Sequence, residues 1–410
     1  MKNYANIYNS TNDSIALEQR FYAKLETVRG VIQAPQGTDC FLQLPGGQIS
    51  FQQPFESSTQ RSGRHHTNII KKKKTTEWNF STYFNIDEAA VLGVGEIDPA
   101  LQLLWKSLLG NETTTAGLVY EPSVAPDLTF SLFEVGDKWS RQSPGAFVNS
   151  GNIQLPGDGE ATVEWSGNAK TAYLVGIGKS EVSNDGTNII TVGAGEAERF
   201  PVGSLVMLVK DDGTTRSTDT PDGSPRKVTV SNRSTDEITV DGAALADADG
   251  SVTPIYLVYY EPETPTAIDN PVTGLVGSVS VVGLASQCFR SLGVNISNNH
   301  ELVDYCYGED GLSGKLFVPG DRLTAEVTLS MNLNDDVIEF FNKKTYFESD
   351  DLTAILGDAA GRHFKLELPK VYFQVPAFSV PDTGSIPVEF SGTAYQTALD
   401  AADEITASFL

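Results

Sequence analysis

The sequence predicts a mainly β protein: two similar β-sandwich or barrel units, each with one flanking helix, and a small all-β domain inserted between them. Three observations predict it. Residues 146–172 and 371–397 align without a gap and share seven identities in 27 positions, including Pro156/Pro381, Gly159/Gly384, Val163-Glu164/Val388-Glu389, Ser166-Gly167/Ser391-Gly392 and Ala169/Ala394. A repeat of that kind is the mark of a duplicated supersecondary unit. Most of the chain alternates apolar and polar residues with period two, the signature of half-buried strands. Only two segments switch to helical spacing, and they sit at matching places in the two halves.

In chain order, residues 1–20 are polar and weakly periodic, and are expected to form an arm that orders only against a neighbour. From Lys24, KLETVRGVIQ reads as a strand, followed by FLQLP and GQISF as extended pieces. The stretch 53–74 is long and polar between alternating flanks, which places it at the tip of a long hairpin. DPALQLLWKSLLG reads as a helix, with Asp98 at the N-cap, Pro99 at N1 and Gly110 as its stop. DLTFSLFEV and AFVNSGNIQL are strands, and the Pro-x-x-Gly turn then leads into V-E-W-S-G. The second half runs in the same order, with CFRSLGVNIS in the position of LETVRGVIQ, then RLTAEVTLSMNLND, the helix DDVIEFFNKK capped near Asn334 or Asp335, DLTAIL and the repeated hairpin. The expected divisions are an arm at 1–20, a first unit at 21–176, an all-β insert without helix at 177–264, and a second unit at 265–410.

The chain has 410 residues, enough for several separate cores. Its 29 Lys+Arg against 53 Asp+Glu give a formal charge of −24, which argues against tight nucleic-acid binding but suits a surface that a polyanion must slide past. Cys40, Cys288 and Cys306 are too few and too scattered for a disulfide framework or a zinc site, so reduced thiols are expected. The opening MKNYANIYNSTND has no apolar core of a secretion signal, and no run approaches the length of a membrane span.

No catalytic constellation emerges, and neither a cofactor nor a metal is expected. His65 and His66 are adjacent in a basic loop and cannot share one helix face as spaced ligands do. Asp247, Asp249 and Gly250 resemble part of a calcium loop, but the later glutamate is missing and a turn is the better reading. The one concentration of positive charge is the hairpin tip, with Arg61, Arg64, His65, His66, Lys71, Lys72, Lys73 and Lys74. It reads either as a solvated face or as a contact between subunits or stacked rings, since an acidic neighbour would attract it. Glu164 and Glu389 alternate with the apolar Val163/Trp165 and Val388/Phe390, so each lies on a wet face or an assembly face.

These patterns resemble the major tail tube proteins of long-tailed bacteriophages. The resemblance rests on KLETVRGVIQAPQGT, the long loop before TTEWNFSTYF, the helix DPALQLLWKSLLG, the G-A-F-V-N-S-G-N-I to V-E-W-S-G hairpin, SLGVNISNNHELVDYCYGEDG and the closing VEFSGTAYQTALDAADEITASF. It covers the chain outside the insert. It implies a virion protein, assembled in the host cytoplasm, whose rings stack into a hollow tube around a tape-measure protein. Tail terminator and baseplate or tail-tip proteins would be its partners, and DNA would pass through the lumen without specific binding. With two units per chain, three chains would make a pseudo-hexameric ring; homohexamers are the other option. The competing expectation is a cell-surface or saccharide-binding β-domain using Tyr256, Tyr259 and Tyr260 as an aromatic platform.

Overall fold

The computed structural model describes residues 2–10, 19–58, 68–72, 74–88, 95–114, 117–123, 127–180, 186–245, 255–262, 264–268, 271–273, 277–281, 284, 289–302, 317–319, 321–357 and 362–410. Among the described residues the protein is mainly β, with 49% in strands against 10% in helices.

The first part of the chain supplies α1 (Tyr4–Asn9), β1 (Arg20–Leu25), β2 (Cys40–Phe41), β3 (Gln48–Gln52), β4 (Phe55–Ser57), β5 (Ile69–Lys71), β6 (Thr75–Tyr83), β7 (Asp87–Glu88) and β8 (Gly95–Glu96). It continues with α2 (Pro99–Leu109), β9 (Gly110–Thr113), β10 (Leu118–Pro122), β11 (Phe130–Val135), β12 (Ser140–Pro156), β13 (Thr162–Ala169) and β14 (Tyr173–Val175). Next come β15 (Ile177–Lys179), β16 (Ile189–Thr191), β17 (Leu205–Val209), β18 (Arg226–Asn232), β19 (Glu237–Val240) and β20 (Tyr256–Tyr259). The last part holds β21 (Ser278–Val281), β22 (Phe289–Ser297), β23 (His300–Leu302), β24 (Phe317–Pro319), β25 (Thr324–Asn332), α3 (Asp335–Lys344), β26 (Asp350–Leu356), β27 (Phe364–Phe373), β28 (Pro387–Ala394) and β29 (Thr406–Phe409).

One antiparallel run of strands crosses the molecule in the order β3, β6, β13, β12, β22, β25, β28, β27. The 17-residue β12 serves two neighbourhoods: its first residues pair with β11 and β14, and its last with β13 and β22. β27 divides in the same way, with β29 beside its start and β28 beside its end, while β26 runs along its other edge. The core side of this sheet is strictly alternate, as period two requires. Trp78, Phe80, Val163, Trp165, Val294, Ile296, Val327, Leu329, Val388 and Phe390 are all buried.

The two longer helices, α2 and α3, each lay an aromatic residue on this sheet. Trp105 of α2 meets Trp165 edge-on at 5.1 Å, and Phe340 of α3 meets Phe390 edge-on at 5.0 Å. Edge-to-face geometry is what the ring quadrupole favours. The expected ends of α2 are found, Pro99 at the start and Gly110 at the stop with φ 100°. On α3, Asn334 Oδ1 accepts from Val337 N–H at 2.9 Å. The repeated turns close through Gly159 and Gly384, whose φ of 109° and 92° belong to glycine. The repeated Ser-Gly has a different cause. A Cβ on Gly167 would lie 2.0 Å from Phe147 O, and one on Gly392 would lie 2.8 Å from Tyr372 O.

A separate six-stranded sheet, in the order β15, β20, β17, β18, β19, β16, holds the residues expected to form the all-β insert. It contains one short helical turn, Glu196–Arg199, where none was expected. Its core is continuous with Tyr22, Phe133 and Val135 of β1 and β11.

Three expectations are corrected here. The described part of the N-terminal arm does not wait for a neighbour. Tyr4 is fully buried against Tyr259, its hydroxyl donates to Glu261 at 3.0 Å, and Tyr8 donates to Glu196 at 2.8 Å. Two tyrosines in a polar stretch were enough to dock α1 on its own chain, because burying one such ring is worth about 2 kcal/mol or more. Secondly, the strand read from Lys24 lies earlier, at Arg20–Leu25, and the chain turns at Thr27–Gly30. Glu26, buried, accepts from Gly30 N–H, Gly145 N–H, Thr129 and Ser131, and these bonds replace the ladder beyond Leu25. Thirdly, FRSLGVNIS does not occupy the place of LETVRGVIQ. It pairs with β25 as β3 pairs with β6, so GQISF is its counterpart.

Candidate functional site

The strands that bury apolar residues on one side present a polar surface on the other. On β6 it carries Thr75, Glu77, Asn79 and Ser81; on β13, Thr162, Glu164, Ser166 and Asn168; on β12, Ser150, Asn152 and Gln154. On β22 it carries Ser291, Gly293, Asn295 and Ser297, on β25 Glu326, Thr328 and Ser330, and on β28 Glu389, Ser391 and Thr393. Within these paired spans the face holds four carboxylates, Glu77, Glu164, Glu326 and Glu389, all exposed, and no lysine; one exposed arginine, Arg290, lies at the bulge near the start of β22. Its polar groups bond to one another along the surface, as in Ser150 Oγ to Ser166 Oγ at 2.7 Å and Gln154 Nε2 to Asn152 Oδ1 at 2.8 Å.

Glu164 and Glu389 therefore stand where alternation placed them, and on one surface. Glu77 and Glu326 were missed, although the signal was present. TTEWNF and TAEVTL carry a glutamate at the third position of equivalent strands, and cross-strand partners Asn168 and Thr393 face them.

The cationic segment is a hairpin at its base, with Phe55 opposite Lys71 and Ser57 opposite Ile69. Lys72 forms an ion pair with Glu56 of the same hairpin, and Lys74 lies 5.8 Å above the Phe51 ring. Part of the positive charge is thus met within the chain. Arg61, Arg64, His65, His66 and Lys73 lie outside the described residues, as do Asp247, Asp249, Gly250, Cys288 and Cys306.

The aromatic platform is overturned. Tyr256 is 3% exposed and Tyr259 and Tyr260 are fully buried. The Tyr259 hydroxyl donates to Gly136 O at 3.0 Å and to Asp137 O at 2.8 Å, and that of Tyr260 to Pro35 O at 2.8 Å. They hold the six-stranded sheet to the rest of the chain and present no face to a sugar.

Buried titratable groups serve structure. Burial pushes the Cys40 thiol up to about 12 and the His300 imidazole down to about 4, so neither is poised near neutrality. Burial also raises the Glu134 carboxyl, against the pull of Arg141 and the bonds from Gln19 and Ile49. Among the described residues no cluster of His, Cys, Asp and Glu could hold a metal ion, and no helix is long and apolar enough to cross a membrane. No family model and no curated protein matches the chain.

Proposed function

We propose that this chain is the tube-forming protein of a long-tailed bacteriophage: copies close into rings, rings stack into a hollow tube, and the polar sheet face lines the channel for DNA. The observation that carries this reading is the four-glutamate face on one uninterrupted antiparallel sheet. A surface on which carboxylates outnumber cations repels a polyanion and leaves it free to slide, whereas clustered lysine and arginine would hold it.

A duplicated unit supports the ring. β6 and β25 have equal length, and their registers with β13 and β28 superpose residue for residue when 249 is added to β6 and 225 to β13 (Thr162↔Tyr83 becomes Pro387↔Asn332). Glu77 then falls on Glu326, Glu164 on Glu389, and Trp165 on Phe390 under its helix aromatic. β1 beside β11 corresponds to β21 beside β26. Two such units per chain favour three chains in a ring of six similar lobes, with the four glutamates of each chain repeated around the lumen. The all-β insert is anchored through β1 and β11, away from the strands that bear the glutamates, which suits outward decoration of a tube. The cationic loop would meet the acidic surface of a neighbouring copy. Tape-measure, tail terminator and baseplate or tail-tip proteins would complete the virion tail.

Electron microscopy of the concentrated, purified chain tests this. Hollow tubes built of six-lobed, three-chain rings are expected. Particles that remain monomeric at high concentration, or form solid fibres without a lumen, would refute it.

A further inference from the structure

Among the described residues the two units pair twice, β10 with β29 and, along the glutamate-bearing sheet, β12 with β22. Ser150–Pro156 of β12 pairs with Ser291–Ser297 of β22, from Ser150↔Ser297 to Pro156↔Ser291. Ile153 and Leu155 on one side, and Leu292, Val294 and Ile296 on the other, point into the core and are buried. Just beyond the ladder, the β23–β24 hairpin folds over Phe147. Phe317 stacks on that ring at 4.2 Å and His300 approaches it at 5.9 Å.

Both partners of this junction occur a second time without a strand on the matching edge. On the β3 edge, Ile49 N–H donates to Glu134 Oε2 at 3.3 Å and Gly47 O accepts from Gln19 Nε2 at 3.2 Å, side-chain bonds that an incoming strand would replace. Adding the same 225 positions turns 150–156 into 375–381, a segment that forms no ladder. Its last link to the sheet is Gln374 N–H to Ser391 O at 2.8 Å. Phe378 and Val380 stand where Ile153 and Leu155 stand, but are 44% and 71% exposed instead of 0% and 3%. The counterpart of β22 is β3. Phe51, in the place of the fully buried Ile296, is 43% exposed. The β4–β5 hairpin follows β3 as β23–β24 follows β22, and its Phe55, in the place of His300, is 66% exposed, with Ile69 at 58%. Tyr372 takes the position of Phe147.

An open edge with apolar side chains is a template for pairing, and the two edges are complementary to each other, not to themselves. Such an interface is head-to-tail, and it closes into a ring when the rotation allows. We propose that 375–381 of one chain pairs antiparallel with 46–52 of a second copy, in the register Val375 opposite Gln52 and Pro381 opposite Gly46. Phe55 and Ile69 of that copy then seat on Tyr372, and the internal junction is reproduced between chains. The base of the cationic hairpin is thereby a lateral contact within a ring. The proposal takes its purpose from the tube reading, but its geometry comes from the β12–β22 junction.

In this register Ala377 faces Ser50. Full-length chains carrying Ala377→Cys with Ser50→Cys should give disulfide-linked oligomers on mild oxidation, well above the background set by the wild-type chain and its own cysteines. The pair Ala377→Cys with Gln48→Cys, two residues out of register, should link at least tenfold more slowly. A mixture of the two single variants should stop at dimers. Faster linking of the shifted pair, or six-lobed rings in micrographs with neither pair linked, would overturn the proposal and leave the tube reading standing. Linked oligomers without a lumen would support the interface and remove the tube. Chains that stay monomeric and unlinked at high concentration would overturn the interface.

Discussion

Replacing Phe378 and Val380 together by serine should cripple assembly while sparing the folded chain. The magnitude follows from their exposure, 44% and 71% in the isolated protein against essentially none for their counterparts Ile153 and Leu155. Full burial of a Phe or Val side chain is worth about 1.5–3 kcal/mol, so the fractions still exposed are worth about 1 kcal/mol each. Losing about 2 kcal/mol per contact weakens association roughly 30-fold. In the monomer Phe378 is already partly buried edge-on against Phe341 at 6.2 Å, so the double change should also cost about 1 kcal/mol in folding. Ile153→Ser is the contrast. It places a hydroxyl in a fully buried site and opens a cavity, at a cost of about 3 kcal/mol in folding stability. Sedimentation velocity over a concentration series reads the first effect, and urea melts of dilute chain read the second. The reasoning fails if the double variant assembles at the wild-type concentration, or if its urea midpoint drops as far as that of Ile153→Ser.

Changing Glu164 and Glu389 to lysine should leave assembly intact but make the product retain duplex DNA in a filter or mobility assay. Retention should fall steeply with added salt, as phosphate contacts do; tubes that still ignore DNA would place these residues elsewhere. His300 is held near 4 by burial, below its ordinary 6.5, so its neutral form is the one folding favours. Its contribution is present above pH 6.5 and is lost as pH falls towards 4. His300→Phe should therefore narrow the gap between urea midpoints measured at pH 7.5 and pH 5.5. Lys344 is buried in an ion pair with Asp350 and sits 4.3 Å from the centre of the Phe340 ring. Lys344→Met leaves that carboxylate without its cation and should cost about 3–5 kcal/mol, most of it recovered by adding Asp350→Leu; equal melts for the single and double variants would refute the coupling.

Period two and cap chemistry are local, and what they govern was legible from the chain. β6, β13, β25 and β28, both longer helices, the Pro-x-x-Gly turns and the outward Glu164 and Glu389 all stand where alternation or capping residues put them. Strand choice near the N-terminus was not legible. RFYAKL and KLETVRGVIQ read alike, and only the buried carboxylate of Glu26, satisfied by residues about a hundred positions away, decides where the ladder stops. The tyrosines of the insert illustrate the same limit. Aromatic residues near a linker look like a binding platform until long-range hydrogen bonds to Gly136 and Pro35 bury them.

The repeat was visible as seven shared residues, but its consequence was not. The sequence by itself determined that one hairpin segment recurs and which face of each strand is wet. Only the tertiary structure decided that β12, beside the first copy of that segment, pairs with β22, and so which strand edges have no strand beside them. Burial pattern follows from a residue's immediate neighbours along a strand, whereas pairing is a choice among all strands that present the same pattern. That choice is settled by which apolar faces can be covered at once, and it leaves Phe51 of β3 and Phe378 and Val380 of 375–381 exposed.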